Sequence, residues 1–151
     1  MQRFFVDPQC VERDSVVLKG DIIHQIRYVL RLQSGAHIAV LDNSGWEYEV
    51  ALERLEKEQA TGVICGKKEI AEPNVKITLY QALIKSDKFE FVLQKGTEIG
   101  IAIFVPVICE RCVARHSGSK KHERWEKVIA EAAEQSGRGK LPSLMPPVSF
   151  G

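Results

Sequence analysis

The hydrophobic pattern of this chain changes once, at Ala71-Glu72-Pro73-Asn74, and the change demands two different kinds of sheet. Before it, polarity alternates. In WEYEVALERL, Trp46, Tyr48, Val50 and Leu52 interleave with Glu47, Glu49, Ala51 and Glu53. A period of two puts one face on a core and the acidic face in water. After it, VKITLYQALI and IAIFVPVI are continuous β-like runs, as expected of strands buried on both faces. Pro and Asn at the join favour a turn, so residues 1–72 and 73–151 are the predicted domains.

The first domain reads as a small β-barrel carrying one helix. Arg3 to Val6 and Ser15 to Leu18 are short strand-like runs. Asp21 is the expected N-cap of DIIHQIRYVLRL, with Ile22, Ile26, Val29 and Leu30 on its inner face and Gly35 as the stop signal. AHIAVLD and WEYEVALERL flank Asn43-Ser44-Gly45, a hairpin composition, and QATGVICGKKEI adds a strand. In the second domain Ser86 or Asp87 is expected to cap a helix with Phe89, Val92, Leu93 and Ile99 inward, ended by Gly100. Pro106 is expected near its strand's end, because proline cannot donate to a central ladder. Trp125, Val128, Ile129, Ala132 and Ala133 form the stripe of a long second helix. The β-α-β-α order implies a parallel α/β sheet, and LPSLMPPVSFG reads as loop. Two strands and two helices make a short α/β domain, one expected to pair with another copy or to be a fragment.

Composition narrows the function. No apolar run approaches the roughly 20 residues of a membrane span, and MQRFFVDPQC lacks a signal-peptide apolar core. Four cysteines are too sparse for a disulfide scaffold and point to a reducing, cytoplasmic setting. The net charge of +1 hides an asymmetry. Residues 1–72 carry nine Lys/Arg against twelve Asp/Glu, and residues 111–140 carry eight against four. A positive footprint for nucleic acid would therefore be local.

Three segments concentrate the cations: Lys85 to Gly100, Val105 to Arg115 and Glu123 to Pro142. Lys85, Lys88 and Lys95 lie at or after the first α/β strand, and Arg111 and Arg115 after the second. Carboxyl ends of strands are where open α/β sheets bind ligands. Lys120, Lys121 and Arg124 extend the second group into the densest basic cluster of the chain. Phosphate contact and a merely solvated face are both open readings. Gln94 with Glu98 could read a base edge or form surface hydrogen bonds. Glu131, Gln135 and Arg138 close the long helix, where Arg138 could simply complement the dipole. Arg27 and Arg31, with His24 one turn before, are a credible RNA-backbone contact that a solvent-facing helix would also explain. Cys109 and Cys112 with His116 and His122 lack the spacing of a zinc finger, so no metal is assigned and inert thiols are the default.

The blocks HQIRYVLRL, QALIKSDKFEFVLQKGTEIG, PVICERCVAR and RWEKVIAEAAEQSGRGKLP resemble, in order and nearly the whole length of the chain, the RsmE family. These are methyltransferases that use S-adenosylmethionine on a uridine of 16S ribosomal RNA. The resemblance implies a PUA-like β-barrel followed by a SPOUT domain, an α/β sheet with a trefoil knot, acting as a homodimer with active sites between subunits. Family members continue with a glycine-rich GPEGG-like loop and a leucine-and-arginine-rich segment that form the knot. Neither occurs here, so the chain is expected to hold the first half of the catalytic domain and, alone, to lack the cofactor pocket and activity.

The implied reaction is methyl transfer to N3 of an unpaired or extruded uracil, helped by positive charge near its oxygens. On this reading Arg111, Arg115 and Arg138 contact phosphate or uracil, Glu98 or Glu131 accepts the proton, and Arg27, Arg31, Lys85 and Lys88 orient the RNA. The partners are 16S rRNA or the small ribosomal subunit, with no membrane. The rival is a non-catalytic RNA-binding module.

Overall fold

The computed structural model describes residues 1–110, Cys112 and residues 118–150. The chain divides into two compact units, Met1–Ala71 and Glu72–Gly151.

The first unit is a five-stranded mixed sheet in the order β1-β3-β4-β5-β2. Its strands are β1 (Gln2–Phe5), β2 (Ser15–Lys19), β3 (His37–Leu41), β4 (Trp46–Leu55) and β5 (Gln59–Glu69). β1 runs parallel to β3, and the other pairs are antiparallel. The β3–β4 hairpin turns where its composition asks, with Asn43 at φ 64° and Gly45 at φ 100°. Phe4, Val16, Leu18, Ile38, Val40, Val50 and Leu52 fill the core with Ile23 and Ile26 of the helix. Each such side chain contributes roughly 1.5–3 kcal/mol by leaving water.

The helix departs from its predicted phase. Asp21 is its first residue rather than its cap, since Gly20 holds the N-cap at φ 74°. α1 (Asp21–His24) runs straight into a π-helical turn, Gln25–Val29, in which the Leu30 N–H reaches back to the Gln25 carbonyl at 2.8 Å. That wider turn rotates Val29 outward, where it is 63% exposed; Ile26 is buried as predicted, Ile22 and Leu30 pack half-buried against the core, and Ile23 joins them there. The stop is Arg31 in the left-handed region at φ 52°, and Gly35 lies beyond it.

Glu47 also departs. On the face predicted to be acidic and solvated it is only 3% exposed, because Arg3 at 2.7 Å and Lys68 at 2.8 Å neutralise its carboxylate. Arg3 gets there across the small Ala39, its register partner on β3.

The second unit is a parallel sheet with β7 (Ile103–Ile108) at its centre. β6 (Thr78–Ala82) pairs with one side of β7, while β8 (Ser143–Leu144) and β9 (Val148–Ser149) share the other. The tail predicted as loop thus supplies two short strands. α2 (Ser86–Glu98) and α3 (Ser119–Ser136) are the two crossovers. They share one core of Phe89, Leu93, Phe104, Trp125 and Ile129.

β6 is an edge strand rather than a doubly buried one, and Ile77 and Tyr80 are 48% and 68% exposed. Pro106 sits mid-strand, not at an end. The carbonyls of Ala102, Phe104 and Ile108 accept from Ser143, Met145 and Phe150, so Pro106 meets the break between β8 and β9 and interrupts no bond there. α2 begins at Ser86, with Lys85 as a cap that makes no side-chain bond. It ends in a Schellman motif: Ile101 donates to the Gly96 carbonyl and Gly100, at φ 100°, to that of Thr97. Ile99, predicted inward, is left 78% exposed. No described helix is long and apolar enough to cross a membrane.

Candidate nucleic-acid interface

The crossover topology sorts the predicted residues onto two rims of the second sheet. Each helix runs antiparallel to the strands, so α2 and α3 both start at the strands' carboxyl ends. Lys85 (81% exposed), Lys88, Lys120, Lys121 and Arg124 lie at or near those starts. Lys95, Glu98, Glu131 and Arg138 lie toward the far ends. The 13 residues of α2 rise roughly 20 Å, so Glu98 and Lys85 do not meet within one chain. Arg111 and Arg115 lie outside the described residues.

Several of these cations are already engaged. Arg124 forms a bidentate pair with Glu90 of α2, Nε to Oε1 at 2.7 Å and Nη2 to Oε2 at 2.8 Å. The guanidinium's hydrogen bonds, opposed by desolvation, hold the Glu90 carboxyl below its ordinary range, and Arg124 is raised in turn. Lys95 is clamped on Glu98 at 2.9 and 3.0 Å, a local ion pair on the α2 surface. Lys121 lies 5.3 Å from the centroid of the Trp125 ring.

Arg138 is the clearest correction. Its side chain is only 9% exposed. It donates Nε and Nη2 to Glu72 Oε2 at 3.0 and 2.6 Å, and Nη1 to the carbonyls of Ile101 (2.7 Å) and Thr97 (3.3 Å). Glu72 Oε1 accepts from the N–H groups of Gly139 and Lys140 at 2.8 and 3.0 Å. Desolvation pushes the Glu72 carboxyl up, but these bonds and the Arg138 charge outweigh it and leave it below its ordinary value. This arginine staples the exit of α3 to the end of α2 instead of reaching out to phosphate or uracil. Glu72 gave no local signal, because its partner is 66 residues away.

Burial pushes the Cys109 thiol up, helped by Cys112, which argues for an inert thiol. No group of three or more metal-ligating side chains occurs among the described residues.

The first unit brings its predicted pair together. Arg27 and Arg31 line one cleft of about 420 Å³ with Leu32, Gln33, Ser34 and Leu55. Arg27 is anchored by Nη1 donating to the Glu56 carbonyl at 2.8 Å. Its guanidinium carbon stands 5.5 Å from the centroid of the Tyr28 ring, and that ring lies 5.2 Å from His24. Tyr28 is 57% exposed beside this pair.

Fold and charge layout together define a mixed α/β protein whose first unit carries a guanidinium-lined cleft and whose second is a parallel sheet with lysines at one rim. Residues 71–151 match the family described as RNA methyltransferase domain, and the chain belongs to that family. Among its relatives is ribosomal RNA small subunit methyltransferase E of Bacillus subtilis, 34% identical over 99% of this chain and 61% of that protein. The corresponding Synechocystis protein is 35% identical over 99% of this chain and 48% of its own length. Ribosomal RNA small subunit methyltransferase E from Neisseria gonorrhoeae, solved bound to S-adenosyl methionine, superposes with a TM-score of 0.89 at 32% identity, covering 99% of this chain and 62% of that one. A Legionella pneumophila protein in complex with the same cofactor gives 0.90 at 30% identity over 97% of this chain and 62% of that one. The chain thus spans less than two thirds of these relatives' length.

Proposed function

We propose that this chain forms part of a cytoplasmic S-adenosylmethionine-dependent methyltransferase that acts on N3 of a uridine in 16S ribosomal RNA, as a homodimer. The carrying observation is the match to the Neisseria enzyme across 99% of the chain, through both units rather than the catalytic half alone. In this reading the first unit is a PUA-like RNA-binding module and the second the opening part of a SPOUT domain.

The cofactor supplies an electrophilic methyl group when bound. What this chain's residues do is grip and orient RNA. Arg27 and Arg31 take backbone phosphate in one unit, and Lys85, Lys88 and Lys120 do so in the other. Arg111 and Arg115 remain assigned to phosphate or uracil. Glu131, exposed on α3, stands as the candidate proton acceptor, since Glu98 is held by Lys95.

Titration of a 16S rRNA fragment against salt tests this. Log affinity should fall linearly with log salt, and Arg27→Gln with Arg31→Gln should flatten the line. Salt-independent binding, or none, would remove the RNA reading. Calorimetry with S-adenosylmethionine on a full-length relative separates an enzyme from a non-catalytic RNA-binding module, which would bind RNA but not the cofactor.

A further inference from the structure

Two clefts are lined by residues of the helix of the first unit, and their linings differ in kind. One holds the guanidiniums of Arg27 and Arg31, the Gln33 amide and the Ser34 hydroxyl, with no carboxylate. The other, about 360 Å³, is lined by Gly20, Ile23, His24, Tyr28, Lys57 and Glu58. It offers two rings and an apolar floor, and the Glu58 carboxylate disfavours phosphate there. Arg27 of the first cleft and Tyr28 of the second are neighbours, with the guanidinium carbon 5.5 Å from the ring centroid.

We infer that this helix is a single-stranded RNA site that divides a nucleotide between the two clefts, stacking an unpaired base on Tyr28 and holding the adjoining phosphate on Arg27 and Arg31. This deepens the RNA-binding reading above and rests on it.

Three features of the backbone and surface converge on this helix. The π-helical turn Gln25–Val29 breaks the regular phase that core packing alone would keep, and such turns recur at functional sites. Arg31 holds a left-handed conformation at φ 52°, a cost that a plain helix end would place on glycine. Tyr28 is 57% exposed, with its hydrophobic face unspent on the core. Two of its neighbours prepare the ring. His24, 5.2 Å away, supports it from the preceding turn, and the Arg27 guanidinium adds a cation beside the same π-system. Arg27 is itself fixed by its bond to the Glu56 carbonyl in the β4–β5 turn, so the platform is organised before RNA arrives. Lys57, from the same turn, lines the base cleft beside Glu58.

The probe is a short single-stranded RNA carrying one 2-aminopurine, with a duplex of equal length as comparison. Stacking predicts that fluorescence is quenched on binding. Tyr28→Ala should weaken single-strand affinity roughly 5- to 150-fold and abolish the quench. Tyr28→Phe should keep both. Duplex binding should not depend on Tyr28, because paired bases are already stacked. Arg27→Gln with Arg31→Gln should flatten the salt dependence while preserving the quench. If Tyr28→Ala melts like wild type and binds single-stranded RNA equally well, the stacking site is refuted while salt-dependent RNA binding stands. If the wild-type chain binds neither RNA, the RNA reading itself falls.

Discussion

Replacing Arg138 by alanine should damage stability and leave RNA binding alone, the reverse of what its position after a basic helix suggests. The substitution deletes two charge-assisted bonds to Glu72 and two to backbone carbonyls, leaving the Ile101 carbonyl and Glu72 Oε2 without those donors. Breaking a buried ion pair costs about 3–5 kcal/mol. Glu72 is 21% exposed and keeps its bonds from Gly139 and Lys140, so the lower end, roughly 3 kcal/mol, is expected. That is a large share of the ~5–15 kcal/mol that holds a domain together.

The assay can address each unit separately, because Trp46 lies in the first and Trp125 is buried in the core of the second. In a Trp46→Phe background, Trp125 fluorescence during urea unfolding reports the second unit. With an m-value near 2 kcal/mol/M, the midpoint should drop by about 1.5 M. Acid supplies an independent check. Because the folded Glu72 carboxyl titrates below its ordinary value, its contribution is fully present above that value and is lost as pH falls through the lower, folded one. Wild-type stability should decline through that window, and Glu72→Gln should remove this part of the decline. An Arg138→Ala midpoint within a few tenths of a molar of wild type, or a weakened RNA salt dependence with intact stability, would refute the staple.

Three further outcomes follow from single positions. Gly96→Ala would place a methyl 2.6 Å from Phe104 Cε1 and 2.8 Å from Cζ, so despite alanine's better helix propensity it should cost about 1–3 kcal/mol by urea unfolding. Arg31→Gly relieves a left-handed residue, which should leave stability equal or raised by up to about 1 kcal/mol in thermal melts. It should also reduce the RNA salt slope by about 0.7. Cys109, pushed up by burial and by Cys112, should react with a thiol reagent no faster near neutral pH than a free cysteine, and fast alkylation would indicate an activated thiol.

Much of the fold was legible because period and punctuation are local. The β3–β4 hairpin and the Trp125 stripe both declare themselves within a dozen residues. What was missed depended on distant partners. Glu47 reads as surface until Arg3 and Lys68 arrive from β1 and β5. Pro106 reads as a strand end until a split neighbour, β8 and β9, shows why it can sit in the middle. Val29 reads as core unless one knows that a π turn follows His24. The candidate site suffered from the same limit. Clusters of Lys and Arg were visible, but whether each cation meets solvent or a carboxylate depended on Glu72, Glu90 and Glu98, which composition alone cannot pair.

That pairing decides where a polyanion can be held. Counting cations by sequence made the stretch around α3 the strongest footprint, yet Arg124 is committed to Glu90, Arg138 to Glu72 and Lys95 to Glu98. A cation already neutralised at 2.6–2.9 Å releases few counterions on meeting phosphate, because its own carboxylate must first be displaced. The acidic first unit, by contrast, gathers Arg27 and Arg31 into a cleft lined by no carboxylate. Local field, not block charge, governs phosphate binding within a screening length of about 8 Å. The unit with the net negative balance therefore holds a described cleft whose two guanidiniums meet no lining carboxylate, while in the other unit Arg124 ties α3 to α2 and Arg138 ties the exit of α3 to the end of α2.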